Sequence, residues 1–163
     1  QKDVDARWTK KNGVCFYGYK NHIKADTKTK LIVNFIVTDA SVHDSQVLSS
    51  LLNKNDEGQD LYADSAYTGE NQEKVIANKK MKNRVHEKGY RNKPLSDKQK
   101  EANTEKSRTR ARVEHIFGFV ENSMNGSIVR TIGIARAKAK IGMMNLVYNI
   151  SRCVQLKKQI IMG

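Results

Sequence analysis

Two carboxylates carry the chemical interest of this sequence. Asp64 stands alone in YADSAY, residues 62–67, where every other residue is small or aromatic. The longer stretch DEGQDLYADSAYTGEN runs from polar to apolar and back. That pattern reads as a short strand with an acid at its C-terminal end, the edge where α/β proteins place ligands. The plain alternative is a turn former or helix cap, since Asp favours both. Glu114 follows Val113 at the border of an apolar stripe made by Val113, Ile116, Phe117 and Val120, with Arg108, Arg110, Arg112 and His115 around it. Here the plain alternative is a helix-surface Glu neutralised by Arg110 at i−4, a pairing of a few tenths of a kcal/mol. Isolated carboxylates in a basic chain suit divalent-metal chemistry. Mg²⁺ prefers carboxylate oxygens and leaves positions open to substrate phosphates. Two such ions can activate a water and stabilise the leaving oxygen in phosphodiester cleavage.

The bulk composition agrees with a polyanionic substrate. The 163 residues hold thirty Lys and Arg against seventeen Asp and Glu, a net charge of +13. Such a surface holds nucleic acid or an anionic membrane. The membrane is disfavoured, because the longest apolar run, LIVNFIV, is strand-sized and contains Asn34. A span needs about 20 apolar residues. The polar start QKDVDARWTKKNG is no secretory signal. Cys15 and Cys153 are far apart and without a CxxC partner, so they read as reduced packing residues of a cytoplasmic protein. No zinc spacing, GxxxxGK[ST], GxGxxG or GxSxG occurs, which leaves zinc, nucleotide and serine-hydrolase readings without support. His43 reads as a turn histidine before a metal ligand.

The elements that must position the acids follow from periodicity. Residues 1–13 are polar and Lys-rich and look like a loop. VCFYGYKNHI (14–23) and KLIVNFIVTD (30–39) flank a polar turn and predict an antiparallel hairpin. On the first of these strands, Lys20 and His22 point either at phosphate or simply at solvent. ASVHDSQVLSSLLNKN predicts a helix with Val47, Leu48, Leu51 and Leu52 on one stripe, capped by Ser41, Asp44 or Ser45. A strand near 60–64 and a helix near 70–79 come next. Residues 84–106 have few apolar residues and the single proline, Pro94, and read as an exposed connection. Within it, Ser96 and Gln99 form a capping-box pattern that can start a helix. Helices are expected over 107–121 and 134–159, the latter with Ile141, Met144, Val147, Ile150 and Val154 near one face. The basic run RTIGIARAKAK, 130–140, tracks a DNA backbone or is an ordinary solvated helix start. Strands followed by helices, with one further strand between, imply layered α/β or α+β architecture.

Three blocks in order, YGYKNHIKADTKTKLIVNFIVTDASVHDS, then LYADSAY, then NTEKSRTRARVEHIFGFVEN, resemble the catalytic domain of bacterial insertion-sequence transposases of the DDE class. The similarity covers nearly the whole chain. It implies a ribonuclease H-like α/β fold, a mixed sheet flanked by helices, with three acids converging at one edge. By resemblance Asp64 is the second acid and Glu114 the third, together holding Mg²⁺ or Mn²⁺. Arg110, with three residues between it and Glu114, matches the family's Arg-x-x-x-Glu spacing on a helix turned toward DNA. Arg108, Arg112 and Lys20 are the further candidates for DNA contact. The implied partners are transposon ends and target DNA, and the family's assembly on paired ends allows a homodimer.

The chain departs from the family pattern at three places. Ser107 stands where a Tyr is usual, three residues before the Arg, and Glu121 stands where a Lys is usual, seven after the Glu. Glu121 reverses a charge expected at the transposon end. The family's first acid lies on a strand ahead of YGYK, and nothing upstream here reads as a strand. Asp3 and Asp5 fall in a segment that in relatives belongs to the loop after that strand. The expectation is therefore a single catalytic domain over 1–163, truncated at its N-terminus, lacking its first strand and first acid, and inactive alone. Asp26, in the hairpin turn, and Asp44, which reads as a helix cap, are the candidate substitutes. The competing reading is a basic nucleic-acid-binding module without catalysis, which shares the charge and needs no carboxylate pair.

Overall fold

The computed structural model describes residues 2–11, 13–126 and 128–162. It is a mixed α/β chain whose residues fall into two units, 1–43 with 115–163, and 44–114. The first unit begins with a strand, β1 (Arg7–Lys11), where a loop was expected. Four of its five residues are exposed, so no period-2 alternation reaches the sequence. Pairing makes the strand instead. β1 runs antiparallel to the start of β2 (Val14–Ala25), from Arg7 opposite Gly18 to Lys11 opposite Val14. Trp8 packs on Tyr17 with ring centroids 5.1 Å apart. Gly13 supplies the positive φ of the connecting turn. The expected hairpin is present. β2 continues antiparallel to β3 (Ile32–Asp39), from Tyr19 opposite Asp39 to Ala25 opposite Ile32. Asp26 closes that hairpin, its carboxylate accepting from the Lys28 and Thr29 amides and the Thr29 hydroxyl. Asp26 is thus a turn former.

Two long helices complete this unit. The helices expected from Ser96 and over 107–121 are one, α3 (Asp97–Met124), whose residues from His115 onward belong here. Its start carries the capping box. The Ser96 amide donates to the Gln99 side chain, and the Gln99 amide to the Ser96 hydroxyl. The last helix is α4 (Ile134–Met162). Ile32, Ile116, Val120, Met144 and Tyr148 form the core, with Ile23, Phe119 and Met124 against it. The expected inner face of α4 needs correction. Ile141 and Met144 are buried, but Val147, Ile150 and Val154 are 50, 56 and 49% exposed. Asn145, Tyr148 and Asn149 take their place by hydrogen bonding inward: Asn145 to Asn21, Tyr148 to the Lys30 carbonyl, and Asn149 to both main-chain groups of Ile32. A polar inward face is invisible to an apolar-stripe reading. Asp3 and Asp5 accept from the amides of Gly133 and Ile134 at the N-terminus of α4. Cys15 and Cys153 are free thiols, but exposed, not packed.

The second unit begins with a 3-10 turn (Asp44–Val47) and a four-residue helix, α1 (Leu48–Leu51), shorter than the helix expected there. Val47, Leu48, Leu51 and Leu52 are nonetheless buried, as their spacing predicts. Next come β4 (Asp60–Leu61), a 3-10 turn (Ser65–Tyr67), α2 (Glu70–Asn78) and β5 (Lys82–Asn83). β4 and β5 are parallel, joined by α2 as a crossover. Leu48, Leu52, Ile76 and Val85 are the core of this unit, with Leu61, Ala63 and Tyr67 against it. Among the described residues, no helix is long and apolar enough to cross a membrane.

Candidate active site

Asp64 stands where the parallel ladder ends. The bonds between β4 and β5 extend past the named strands: the amides of Lys82, Arg84 and His86 donate to the carbonyls of Gln59, Leu61 and Ala63 at 2.9, 2.9 and 3.0 Å. The next residue is Asp64, whose backbone is extended and whose Oδ1 accepts from the Ala66 amide at 2.9 Å. Both sequence readings of Asp64 therefore hold at once. It follows a strand, and it caps the turn that ends it. The cap turns Tyr67 onto the core of this unit. Burial pushes the Tyr67 phenol well above its ordinary range, and the carboxylates of Asp44 and Asp64 push it further. Both acids therefore act on the same ring.

His86, whose amide bonds to the Ala63 carbonyl at the end of the ladder, meets α3. Its Nε2 lies 3.2 Å from the Ser107 hydroxyl. Burial, then the cations of Arg110 and Lys106, hold its imidazole below the ordinary histidine range, while Asp64 acts in the opposite sense. Arg110 in turn donates to Glu114 at 2.7 Å. Asp64, His86, Arg110 and Glu114 all belong to the second unit. Glu114 is exposed, so this i, i+4 pair contributes only tenths of a kcal/mol to stability. Arg108 and Arg112 are exposed on the same helix. Lys20 lies in the first unit, on β2, where its ammonium donates to the Val42 carbonyl at 2.8 Å. Its neighbour His22 does not line an exposed strand face. It is buried, with Nε2 2.8 Å from the Thr38 hydroxyl.

The segment before α3 holds residues that sequence reading passed over. Glu87 donates its amide to Asn103 Oδ1, and Asn103 Nδ2 donates back to the Glu87 carbonyl, each at 3.0 Å. Gln99 donates to the Glu87 carboxylate, and Lys106 donates to the Val85 carbonyl at 3.0 Å. Gln99, Asn103 and Lys106 recur every three or four residues, so one face of α3 grips residues 85–87. That polar periodicity was the available signal.

The donor set suits a hard cation in type. Asp64 and Glu114 each offer a second carboxylate oxygen with no hydrogen-bond partner among the described residues. Mg²⁺ and Mn²⁺ take such oxygens. In number the set is short: among the described residues, no group of three or more His, Cys, Asp or Glu is arranged to hold a metal.

Comparison with known proteins decides the family. Residues 1–150 match the family described as the transposase DDE domain. The chain belongs to that family. A curated relative, the transposase for insertion sequence element IS1106 of Neisseria meningitidis serogroup B, is 29% identical over 149 residues, covering 91% of this chain and 51% of the relative. The chain thus spans about half the length of the curated relative it matches. No solved structure matches.

Proposed function

We propose that residues 1–163 act as the catalytic domain of an insertion-sequence transposase, with a ribonuclease H-like sheet and with Asp64 and Glu114 as metal-binding catalytic acids. The observations that support this reading are the position of Asp64 at the end of the ladder between β4 and β5 and the pairing of Glu114 with Arg110 on α3, in a chain of the transposase DDE family. The reaction is cleavage of the phosphodiester at the element's end, then attack of the freed 3′-hydroxyl on target DNA. Bound Mg²⁺ or Mn²⁺ would supply Lewis acidity to the phosphodiester. The protein's own contribution is placement. The cap at Ala66 fixes Asp64 at the end of its strand, and the ion pair with Arg110 orients Glu114 along α3. Arg108, Arg110 and Arg112 hold the DNA backbone, with Lys20 as a further contact, and two copies assemble on paired ends. With two acids at the site, the 163 residues alone bind Mg²⁺ weakly and cut transposon-end DNA poorly.

The test is a Mn²⁺ titration of the whole chain, followed by the loss of the free-ion spin-resonance signal. Weak binding that disappears in Asp64→Asn and in Glu114→Gln, with circular dichroism unchanged, supports the reading. Binding that is unaffected by both substitutions sinks it. The net charge of +13 by itself also supports one competitor, a basic DNA-binding module without catalysis. That reading gains if DNA binds tightly while neither acid affects Mn²⁺.

A further inference from the structure

Between β5 and α3 the chain forms a mounted tip. Tyr90 and Lys93 exchange two main-chain hydrogen bonds, each amide donating to the other's carbonyl at 3.0 Å. This closes a tight turn over Arg91 and Asn92. The stem is gripped from α3 through Asn103, Gln99 and Lys106. A side chain at Gly89 would be in van der Waals contact with Leu95 of the returning segment. Yet every residue from Lys88 to Pro94 is exposed.

The side chains on this tip have no use within the fold. Lys88, Arg91 and Lys93 are three cations with no acid among their neighbours in KGYRNKP. None of the three has an ion-pair partner among the described residues. Glu87, the acid that precedes Lys88 in the sequence, is held by Gln99 and Lys106. Tyr90 is 61% exposed, outside both hydrophobic cores. The Lys88 ammonium sits 5.8 Å from its ring centroid. An exposed ring flanked by cations on a preorganised turn is what single-stranded nucleic acid binds: the ring stacks on a base, and the cations meet the phosphates either side. Paired bases in a duplex hide their faces, so the ring adds nothing there and only the cations count.

We propose that the Lys88–Pro94 turn is a DNA contact that captures an unpaired nucleotide, with Tyr90 stacking on the base and Lys88, Arg91 and Lys93 engaging the adjacent phosphates. This rests on DNA being the partner, as proposed above, and adds where an unpaired base is held. The preorganised stem means that little conformational freedom is lost on binding, which a floppy basic loop would not offer.

The test uses the whole chain and two fluorescent DNAs of one sequence, a blunt duplex and a duplex with a short single-stranded overhang carrying 2-aminopurine. Tyr90→Ala is expected to bind the overhang DNA about tenfold more weakly, equivalent to about 1.4 kcal/mol. It should bind the blunt duplex as wild type does and lose the stacking-dependent quenching of 2-aminopurine. Tyr90→Phe should keep both. Lys88→Gln combined with Arg91→Gln should weaken both DNAs and lower the salt slope by about one per phosphate contact. Tyr90→Ala matching wild type on both DNAs overturns the stacking proposal while leaving DNA as partner. Wild-type chain binding neither DNA overturns the proposal and the function beneath it.

Discussion

Asn103→Ala isolates the grip that holds the candidate site's β5 side to α3. The side chain makes two hydrogen bonds to one residue, accepting from the Glu87 amide and donating to the Glu87 carbonyl, each at 3.0 Å. A neutral hydrogen bond contributes about 0.5–1.5 kcal/mol net, more where the abandoned groups stay dry. Glu87 is half-buried, so water recovers part of that loss. Two bonds at about 1 kcal/mol each, less about 0.5 kcal/mol for alanine's better helix propensity, give a destabilisation of ~1.5 kcal/mol. Asn103→Asp is nearly isosteric and keeps the acceptor, but it sets a carboxylate oxygen against the Glu87 carbonyl, so it should destabilise at least as much. Urea unfolding followed by far-ultraviolet circular dichroism should show a lower midpoint at constant m for both variants. Amide exchange at Glu87 separates them: faster in Asn103→Ala, still protected in Asn103→Asp. If Asn103→Ala leaves both the urea midpoint and the Glu87 exchange rate unchanged, the grip contributes nothing and the reasoning is refuted.

Three other outcomes follow from the same structure. Ile116→Ala removes a core side chain that is 1% exposed and should destabilise by about 2–5 kcal/mol in urea unfolding, whereas Val147→Ala on the exposed face of α4 should stay within about 0.5 kcal/mol. The Thr29 amide, then the Thr29 hydroxyl, hold the Asp26 carboxyl below its ordinary value. A lowered folded-state pKa stabilises above the unfolded value and is lost as pH falls, so the melting temperature should drop from about pH 4 downward, and less steeply in Asp26→Asn. Burial, Asp44 and Asp64 raise the Tyr67 phenol, so its contribution is present below about pH 10 and lost above it. An ultraviolet alkaline titration should show one late-ionising tyrosine fewer in Tyr67→Phe, and identical curves would contradict the burial argument.

Much of the second unit was legible because its signals are local. YADSAY announces a strand, an acid and a turn, and the chain forms that order. The Ser96 and Gln99 pair marks the start of α3, and the Arg110 to Glu114 spacing puts the two side chains within ion-pair reach on a helix. The blocks around Asp64 and Glu114 likewise pointed to the transposase DDE family, which the family match shows. Tertiary structure decided what depends on partners far along the chain. β1 exists through its pairing with β2, not through its own exposed residues. The inward face of α4 is half polar because Asn145 and Asn149 meet Asn21 and Ile32, over a hundred residues away. His86 enters the candidate site only because the ladder bonds its amide to the Ala63 carbonyl and α3 brings Ser107 against it. Periodicity reports which residues avoid water. It says nothing of which hydrogen-bonding groups will meet, and here those meetings fix the edge strand, the face of the last helix and the surroundings of Asp64.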